Sequence, residues 1–305
     1  MIEETIPSSL DGERIDRVVS LLTACSRSEA AVLLGDGVVL INGRAVTKGS
    51  TRVAEGDAVE VTRDPVVGPV GLEPDPAVEV TVVHEDEDVI VVNKQSGLVV
   101  HPGAGNSTGT LVHGLLARYP ELALVGDPGR PGVVHRLDKD TSGLLMVARS
   151  ALGQRSLAAQ LGARTVGRRY ATLVWGHLDA GRGLIDAPIG RSGREPTRMT
   201  VASSGREART GYEVLRTFTS PAPLSLLRCK LETGRTHQIR VHLSAIGHPV
   251  VGDARYGGKH EPLAGVPRFF LHAEHLAFDH PATGERLAFD AELPNDLLAV
   301  LDELA

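Results

Sequence analysis

The chain has 305 residues, 42% of them hydrophobic, with 32 basic and 38 acidic side chains and a formal net charge of −6. A chain of this length and apolar content can bury a sizeable core, which excludes a wholly disordered protein. The acidic N-terminus has no apolar signal region, and no apolar run reaches the roughly 18 residues that span a bilayer, so we expect a cytoplasmic protein with no membrane partner. The two cysteines, Cys25 and Cys229, predict no disulfide framework and no Cys-x-x-Cys metal site.

The charge is distributed unevenly along the chain. Residues 164–260 carry 16 basic and 7 acidic side chains, whereas residues 1–75 carry 7 and 13, and residues 261–305 carry 2 and 9. A third of the chain therefore holds half of the basic residues. This concentration predicts a surface that faces a polyanion, the alternative being an ordinary solvated face rich in arginine.

Residues 1–66 form the first predicted domain. Its predicted elements are a helix with an apolar stripe over Ile15–Leu22, a helix capped by Ser26 or Ser28 and ended by Gly35 or Gly37, a strand Val38–Ile41 followed by the hairpin turn Asn42-Gly43, and a strand Val59–Val61. Residues 67–77, rich in proline and glycine, disfavour both helix and central strand and predict an extended linker.

Residues 78–305 form the second predicted domain. The predicted strands are Val80–His84, Val89–Val92, Val133–Val134, Leu144–Ala148, Tyr170–Val174 and Ser225–Leu231, with a hairpin around Pro281–Gly284. The predicted helices are Ser150–Ala163, Thr236–Ile246 and Pro294–Leu304. Strands outnumber helices and do not alternate regularly with them, which favours an α+β fold with a mainly antiparallel or mixed sheet.

The densest polar cluster lies between two predicted strands, at 135–143. Asp138 stands beside Lys139 and near Arg136, and nearby cations favour the ionised form of a carboxylate. An ionised carboxylate on a loop between rigid strands is suited to act as a nucleophile or a base. The alternative is a structural turn, with Asp140 and Thr141 bonding the backbone.

A second cluster opens the predicted helix at 236–246. At helical spacing Thr236, His237 and Arg240 share a face, and Arg235 stands at the N-terminus, where backbone N–H groups attract anions. An arginine on this helix can pair with a buried carboxylate, and the alternative is a surface helix with ordinary cations. No histidine, cysteine or carboxylate spacing predicts a metal site, and no glycine-rich phosphate loop predicts a nucleotide cofactor.

Four segments together resemble one family, the RluA/RluD branch of the pseudouridine synthases. They are Asn93-Lys94-Gln95-Ser96-Gly97 with His101-Pro102, His135-Arg136-Leu137-Asp138 with Thr141-Ser142-Gly143, Arg168-Arg169-Tyr170, and Gly234-Arg235-Thr236-His237-Gln238-Ile239-Arg240 with Gly247-His248-Pro249 and Gly252-Asp253. The N-terminal unit resembles the S4 RNA-binding domain, and the resemblance covers roughly residues 13–300. Gln95 replaces the proline usual in the first segment, which loosens a turn without touching the chemistry.

The resemblance implies a small S4-like α/β domain followed by a catalytic domain with a bent, mainly antiparallel or mixed sheet and a central cleft. It implies an enzyme that isomerises specific uridines to pseudouridine in RNA, above all large-subunit (23S) ribosomal RNA, without a cofactor. We expect the protein to be monomeric. The acidic charge of the S4-like unit argues against tight RNA binding by that unit alone.

The resemblance also implies residue roles. Asp138 matches the catalytic aspartate, which attacks or deprotonates the ribose, Arg240 matches its basic partner, and Tyr170 matches the aromatic residue that stacks on uracil. Arg136 matches the residue that enters the space vacated by the flipped base. The other expected substrate-binding residues are His135, Arg235, His237, Asn93 and Lys94, and the expected RNA contacts of the S4-like unit are Arg14, Arg27, Ser28 and Asn42.

Three alternatives stay open at this point. One is an enzyme of the same kind directed at transfer RNA. Another is a non-catalytic RNA-binding or ribosome-assembly protein, whose signature would be the loss of Asp138, Tyr170 or Arg240, all of which are present. The third is a nucleoside hydrolase or glycosidase, which needs a second carboxylate opposite the first, and Asp140 is too close to Asp138 to supply it.

Overall fold

The structure, a computed structural model, describes residues 2–23, 25, 27–62, 72–103, 105–193, 195, 197–260, 263 and 265–304, except the side chains of residues 27–29. The chain divides into two compact units, Met1–Leu72 with Asp127–Gly129, and Glu73–Gly126 with Arg130–Ala305. No helix among the described residues is long and apolar enough to cross a membrane.

The first unit is a small antiparallel sheet with two helices. In chain order its elements are β1 Ile2–Thr5, α1 Ile15–Thr23, α2 Arg27–Gly35, β2 Val39–Ile41, β3 Arg44–Ala45 and β4 Ala58–Val61. The strand order is β1-β4-β2-β3. Ile15, Val18 and Val19 of the predicted apolar stripe are fully buried against the sheet residues Val39 and Val59. Amphipathic spacing therefore determined how this small domain packs.

Two details of the first unit differ from the sequence predictions. Helix α2 begins at Arg27, so Ser28 lies inside the helix and does not cap it, and Ser26 lies outside the described residues. The strand β1 was not predicted, because its sequence is short and carries two glutamates. It gains its backbone hydrogen bonds by pairing antiparallel with β4.

The second unit carries one large mixed sheet. Its strands are β5 Val82–Glu85, β6 Val89–Lys94, β7 Ser142–Ala148, β8 Gly167–Trp175, β9 Arg182–Asp186, β10 Ile189–Arg191, β11 Met199–Val201, β12 Arg209–Phe218, β13 Leu224–Leu231, β14 Leu271–Asp279 and β15 Arg286–Asp290. Its helices are α3 Leu111–Arg118, α4 Ala151–Ala163, α5 Gln238–Ala245 and α6 Asn295–Glu303.

The large sheet runs in the order β5-β6-β7-β14-β8-β13-β12-β9, with β15 paired to β14, while β10 and β11 form a separate pair. Every pairing in it is antiparallel except β7 with β14. Where these two parallel strands pair, Gly143 lies so close to the backbone of Ala273 that a Cβ at position 143 would overlap that backbone. The φ of 112° at Gly143 also favours glycine. The predicted α+β class with a mainly antiparallel or mixed sheet is confirmed.

Most elements with a strong local pattern are present. The wholly buried strand β7 and the helix α4, whose N-cap Ser150 accepts a hydrogen bond from the Gly153 N–H, match the prediction. The predicted strand Val133–Val134 is wrong, since 130–141 is irregular and only Val133 bridges to Val147. The predictions missed α3 and β12. The strand β12 escaped because its sequence is mixed, with only Thr210 and Phe218 buried and residues 215–217 exposed.

Candidate active site

Two basic side chains hold the part of the loop that directly follows Asp138. Lys94 Nζ donates to the carbonyl oxygens of Gln95, Leu98 and Lys139 at 2.8, 2.9 and 2.9 Å, and Lys94 is only 2% exposed. Its three donors are used inside the protein, so Lys94 supports the loop, and its contact with substrate stays a prediction. Arg268 donates to the Asp140 carbonyl oxygen at 2.8 Å from the other side.

Arg240 joins two carboxylates that lie far apart in sequence. Its Nη1 donates to Asp138 Oδ2 at 3.0 Å, while Nε and Nη2 donate to Asp253 Oδ2 and Oδ1 at 2.6 and 2.9 Å. Asp253 Oδ1 also accepts from the backbone N–H groups of Arg255 and Tyr256. The buried array thus contains two carboxylates and one guanidinium, with every nitrogen of the guanidinium bonded.

The surroundings of Arg240 favour its charge. Its guanidinium lies over the rings of Phe269 and Tyr256, with centroid distances of 4.2 and 5.1 Å. Burial opposes the charge on Arg240, but Asp253 and Asp138 together raise the pKa of Arg240 above its ordinary value. Burial likewise opposes ionisation of Asp253, yet the bonds from Arg240 hold the pKa of Asp253 below its ordinary value. Both groups are charged at neutral pH.

His237 faces the other oxygen of Asp138. The helix α5 begins at Gln238, not at Thr236 as predicted, and His237 precedes it in the left-handed conformation with φ 56°. This conformation brings His237 Nδ1 to 2.8 Å from the Tyr256 hydroxyl and Nε2 to 3.9 Å from Asp138 Oδ1. Burial lowers the pKa of His237 more than Asp138 raises it, so the ring is neutral at neutral pH.

Tyr170 lies on β8 beside this array. It is 5% exposed and lines a small cavity together with Asp138, Arg136 and Arg240. Burial raises the pKa of Tyr170, Arg168 opposes that change, and Asp138 adds to it. The phenol is therefore protonated at neutral pH, and its hydroxyl is available as a hydrogen-bond donor.

His135, Arg136 and Arg235 also surround Asp138. His135 Nε2 accepts the backbone N–H of Met146 at 3.2 Å, and burial with the charge of Arg168 lowers the pKa of His135 to about 3. Arg136 is exposed and lines the cavities on each side of Asp138. Arg235 is anchored by Nε, which donates to the Glu207 carbonyl oxygen at 2.9 Å. It precedes the first residue of α5 by three positions and is not at the helix terminus.

A cavity of about 500 Å³ opens next to Asp138 and Tyr170, and we call it the arginine cavity. Its charged lining residues are Arg130, Arg136, Arg168, Arg206, Arg235 and Asp138. Five guanidinium groups therefore share the lining of this cavity with one carboxylate. Burial lowers the pKa of Arg235, and the nearby charge of Arg206 lowers it further. Such a cavity attracts anions.

The remaining predicted contacts are described within their own units. Asn93 lies on β6 opposite Leu144 and is not among the residues that line the cavities around Asp138. In the first unit, the Asn42 amide donates to Asp57 Oδ1 and its oxygen accepts from the Ala58 N–H, so this side chain holds a turn. Its contact with RNA stays a prediction. Arg14 pairs with Asp16 through Nε at 3.0 Å and stays half exposed. The side chains of Arg27 and Ser28 lie outside the described residues.

Sequence reasoning assigned no role to Asp253, Tyr256, Phe269, Arg268 or Arg168. Asp253 and Arg168 both lie in segments of the family pattern, which was the signal available for them in the sequence. The contact of Asp253 with Arg240 joins a loop to α5, and no periodic pattern in the local sequence predicts such a contact. Within the described residues, no group of three or more histidine, cysteine or carboxylate side chains is arranged to hold a metal ion.

Comparison with known proteins identifies the two units. The family model of RNA pseudouridylate synthase matches residues 88–245, and the S4 domain model matches residues 13–59. The chain is 43% identical to the uncharacterised RNA pseudouridine synthase YlyB of Bacillus subtilis, covering 99% of this chain and 98% of that protein. It is 40% identical to ribosomal large subunit pseudouridine synthase D of Vibrio parahaemolyticus, covering 100% and 94%.

The solved structures agree with this result. Human RNA pseudouridylate synthase domain containing 1 superposes with a TM-score of 0.58 and 31% identity, covering 76% of this chain and 90% of that one. The predicted family, fold class and enzyme class are therefore confirmed. The chain belongs to the RNA pseudouridylate synthase family and carries an N-terminal S4 domain.

Proposed function

We propose that this protein isomerises specific uridines of large-subunit ribosomal RNA to pseudouridine, with Asp138 as the catalytic carboxylate. The observation that carries the proposal is the array in which Arg240 joins Asp138 to Asp253 beside Tyr170 and the arginine cavity. The target is supported by relatives such as the synthase of Vibrio parahaemolyticus, whose name specifies the large ribosomal subunit.

The reaction rearranges bonds without changing composition. The bond between N1 of uracil and C1′ of ribose breaks, a bond between C5 and C1′ forms, and the proton lost from C5 is balanced by one gained at N1. Because Arg240 binds Asp138 Oδ2, the reacting oxygen is Oδ1. It either adds to C1′ or takes a proton from the ribose, and in both cases Arg240 balances the negative charge of Asp138.

The other residues act on the base and its surroundings. Tyr170 provides a ring on which the uracil stacks while it rotates, and its protonated hydroxyl can relay the proton that leaves C5. Extracting a stacked uridine costs a few kcal/mol, and Arg136, exposed beside Asp138, offsets part of that cost by entering the vacated space. The neutral ring of His237 and the side chain of Arg235 complete the wall of the site.

The proposal also covers the cofactor, the oligomeric state and the location of the protein. The rearrangement needs neither oxidant nor energy source, so we assign no nucleotide cofactor. The array around Asp138 needs no residue from a second copy of the chain, and we propose that the protein acts as a monomer. Because the proposed target is ribosomal RNA, we also propose that the reaction takes place in the cytoplasm.

Pseudouridine mapping tests the proposal directly. Ribosomal and transfer RNA from cells lacking this protein are compared with RNA from cells rescued with wild type or with Asp138→Asn. We expect specific large-subunit pseudouridines to disappear and to return with wild type only. Loss confined to transfer RNA would overturn the target, and release of free uracil would indicate a glycosidase instead.

A further inference from the structure

Arg168 is a buried cation without an anionic partner. It is 5% exposed. Among the described residues its Nε has no hydrogen-bond partner, and its one side-chain hydrogen bond is a long one of 3.5 Å from Nη2 to the Glu232 carbonyl oxygen. Within the part of the chain that the structure describes, no carboxylate forms an ion pair with it. Burial accordingly lowers the pKa of Arg168. A buried charge in this condition destabilises the free protein, which suggests that its partner arrives from outside.

The fold keeps Arg168 directed at the site. Arg168 and Tyr170 are two positions apart on β8, so their side chains leave the same face of the sheet, whereas Arg169 leaves the opposite face and pairs with Asp290. Gly234 leaves room for the guanidinium, since a Cβ at that position would lie 2.9 Å from Arg168 Nη1. A side chain at position 234 would therefore displace the guanidinium from its present place.

The surroundings of Arg168 select an anion. It lines the arginine cavity with four other arginines, and Asp138 is the one carboxylate among the residues that line that cavity. The neighbouring His135 ring is neutral and so adds no further positive charge. Tyr170 and Asp138 line the same cavity, so a ligand bound by Arg168 lies next to the reacting nucleotide.

We propose that Arg168 binds a phosphodiester group of the RNA strand, belonging to the uridine that is flipped into the site. This inference rests on the proposed function, because it takes RNA as the substrate. The planar guanidinium matches two phosphate oxygens, and the phosphate supplies the charge that the buried arginine lacks. The contact fixes the nucleotide relative to Asp138, so Arg168 is a substrate-binding residue at the reaction centre.

Equilibrium binding tests the inference. The probe is a fluorescein-labelled single-stranded oligouridylate, and the full-length protein carries Asp138→Asn so that bound RNA is not converted. We expect Arg168→Gln to weaken binding about tenfold or more, and to reduce the slope of log affinity against log salt by about 0.7, the value for one phosphate contact on a single strand. Arg168→Lys keeps the slope and loses part of the affinity, and Gly234→Ala weakens binding by displacing the guanidinium.

Two controls separate phosphate binding from a structural role. Arg169→Gln removes the adjacent cation on the opposite face of β8 and should leave both affinity and slope unchanged. Thermal unfolding of Arg168→Gln should occur at the same or a higher temperature than that of wild type, because an unpaired buried charge has been removed. A lower unfolding temperature together with an unchanged salt slope would overturn the inference in favour of a structural arginine.

Chemical substitution of the RNA identifies the phosphate. Each probe contains one uridine, with an uncharged methylphosphonate in place of the phosphate on its 5′ or its 3′ side. The methylphosphonate that replaces the bound phosphate should weaken binding to the protein that retains Arg168, but not to the Arg168→Gln variant. If neither position shows this dependence, the inference fails even where pseudouridine formation is intact. If the dependence is found but no pseudouridine is formed in cells, the proposed function fails and the anion site stands.

Discussion

Arg240 reaches Asp138 through Nη1 alone, at 3.0 Å, while Asp253 takes Nε and Nη2 of the same guanidinium at 2.6 and 2.9 Å. Asp253 is the more deeply buried of the two carboxylates, since its side chain is 0% exposed and that of Asp138 is 17% exposed. Asp253 therefore orients the guanidinium, and the guanidinium in turn positions Asp138. The predictions that follow begin with this arrangement.

We expect Asp253→Asn to lower kcat about 100-fold, because a small misplacement of the catalytic group is sufficient for such a loss. The free energy of unfolding should also fall by about 3 kcal/mol, since Arg240 loses its buried partner. Single-turnover kinetics and urea denaturation measure the two effects. Asp290→Asn, at a carboxylate that is 73% exposed, is the matched control and should cost less than about 1 kcal/mol. Unchanged kcat in Asp253→Asn would show that Asp138 is positioned without it.

Asp138→Asn should abolish pseudouridine formation while RNA binding and the unfolding temperature stay close to those of wild type. The amide keeps the size of the carboxylate but is neither a nucleophile nor a base of comparable strength. Pseudouridine is quantified in RNA incubated with the purified variant. The neighbouring variant Asp140→Asn changes a carboxylate of the same loop and should retain activity, and normal product from Asp138→Asn would refute the assigned role.

Tyr170→Phe should reduce turnover about 100-fold and change RNA affinity little, because the ring remains while the hydroxyl that relays the proton is lost. Burial raises the pKa of Tyr170, so wild-type activity should not decline through ionisation of this phenol up to its ordinary pKa of about 10. Single-turnover rates and binding isotherms are compared for the two proteins. Equal losses in binding and in turnover would reduce Tyr170 to a stacking platform.

His135 should make the protein less stable in acid. Its pKa is 6.5 in the ordinary state and about 3 in the folded protein, so the unfolded chain binds a proton first as the pH falls below 6.5. Stability present above pH 6.5 is therefore lost progressively towards pH 3. Protonation also removes the acceptor of the Met146 N–H. His237, His242 and His272, whose pKa values burial also lowers, act in the same direction.

Urea denaturation between pH 7.5 and 4.5 checks this prediction, and His135→Gln keeps a hydrogen-bond acceptor without titrating. The variant should show a shallower decline of unfolding free energy with falling pH, by as much as one proton. Parallel curves for wild type and variant would mean that His135 titrates normally in the folded protein.

Local sequence patterns correctly predicted the elements whose formation depends on a few neighbouring residues. The apolar run of β7, the Ser150 cap of α4 and the stripe of α1 are each decided within a few residues, and each is present. The Val133–Val134 strand failed because two apolar residues have no partner strand there beyond one bridge to Val147. Helix α5 begins at Gln238 and not at Thr236, because His237 has the left-handed conformation, which is not helical.

The amino-acid sequence by itself determined the family, the two units, the concentration of arginine in 164–260 and the identity of Asp138, Tyr170 and Arg240 as candidates. The tertiary structure alone decided what the polar groups bond to. It committed Lys94 and Asn42 to internal hydrogen bonds and paired Asp253 with Arg240. It also left Arg168 buried with no carboxylate partner among the described residues. The physical reason is distance along the chain. Asp138 and Arg240 are 102 positions apart, and only folding sets whether such groups meet and how much water surrounds them.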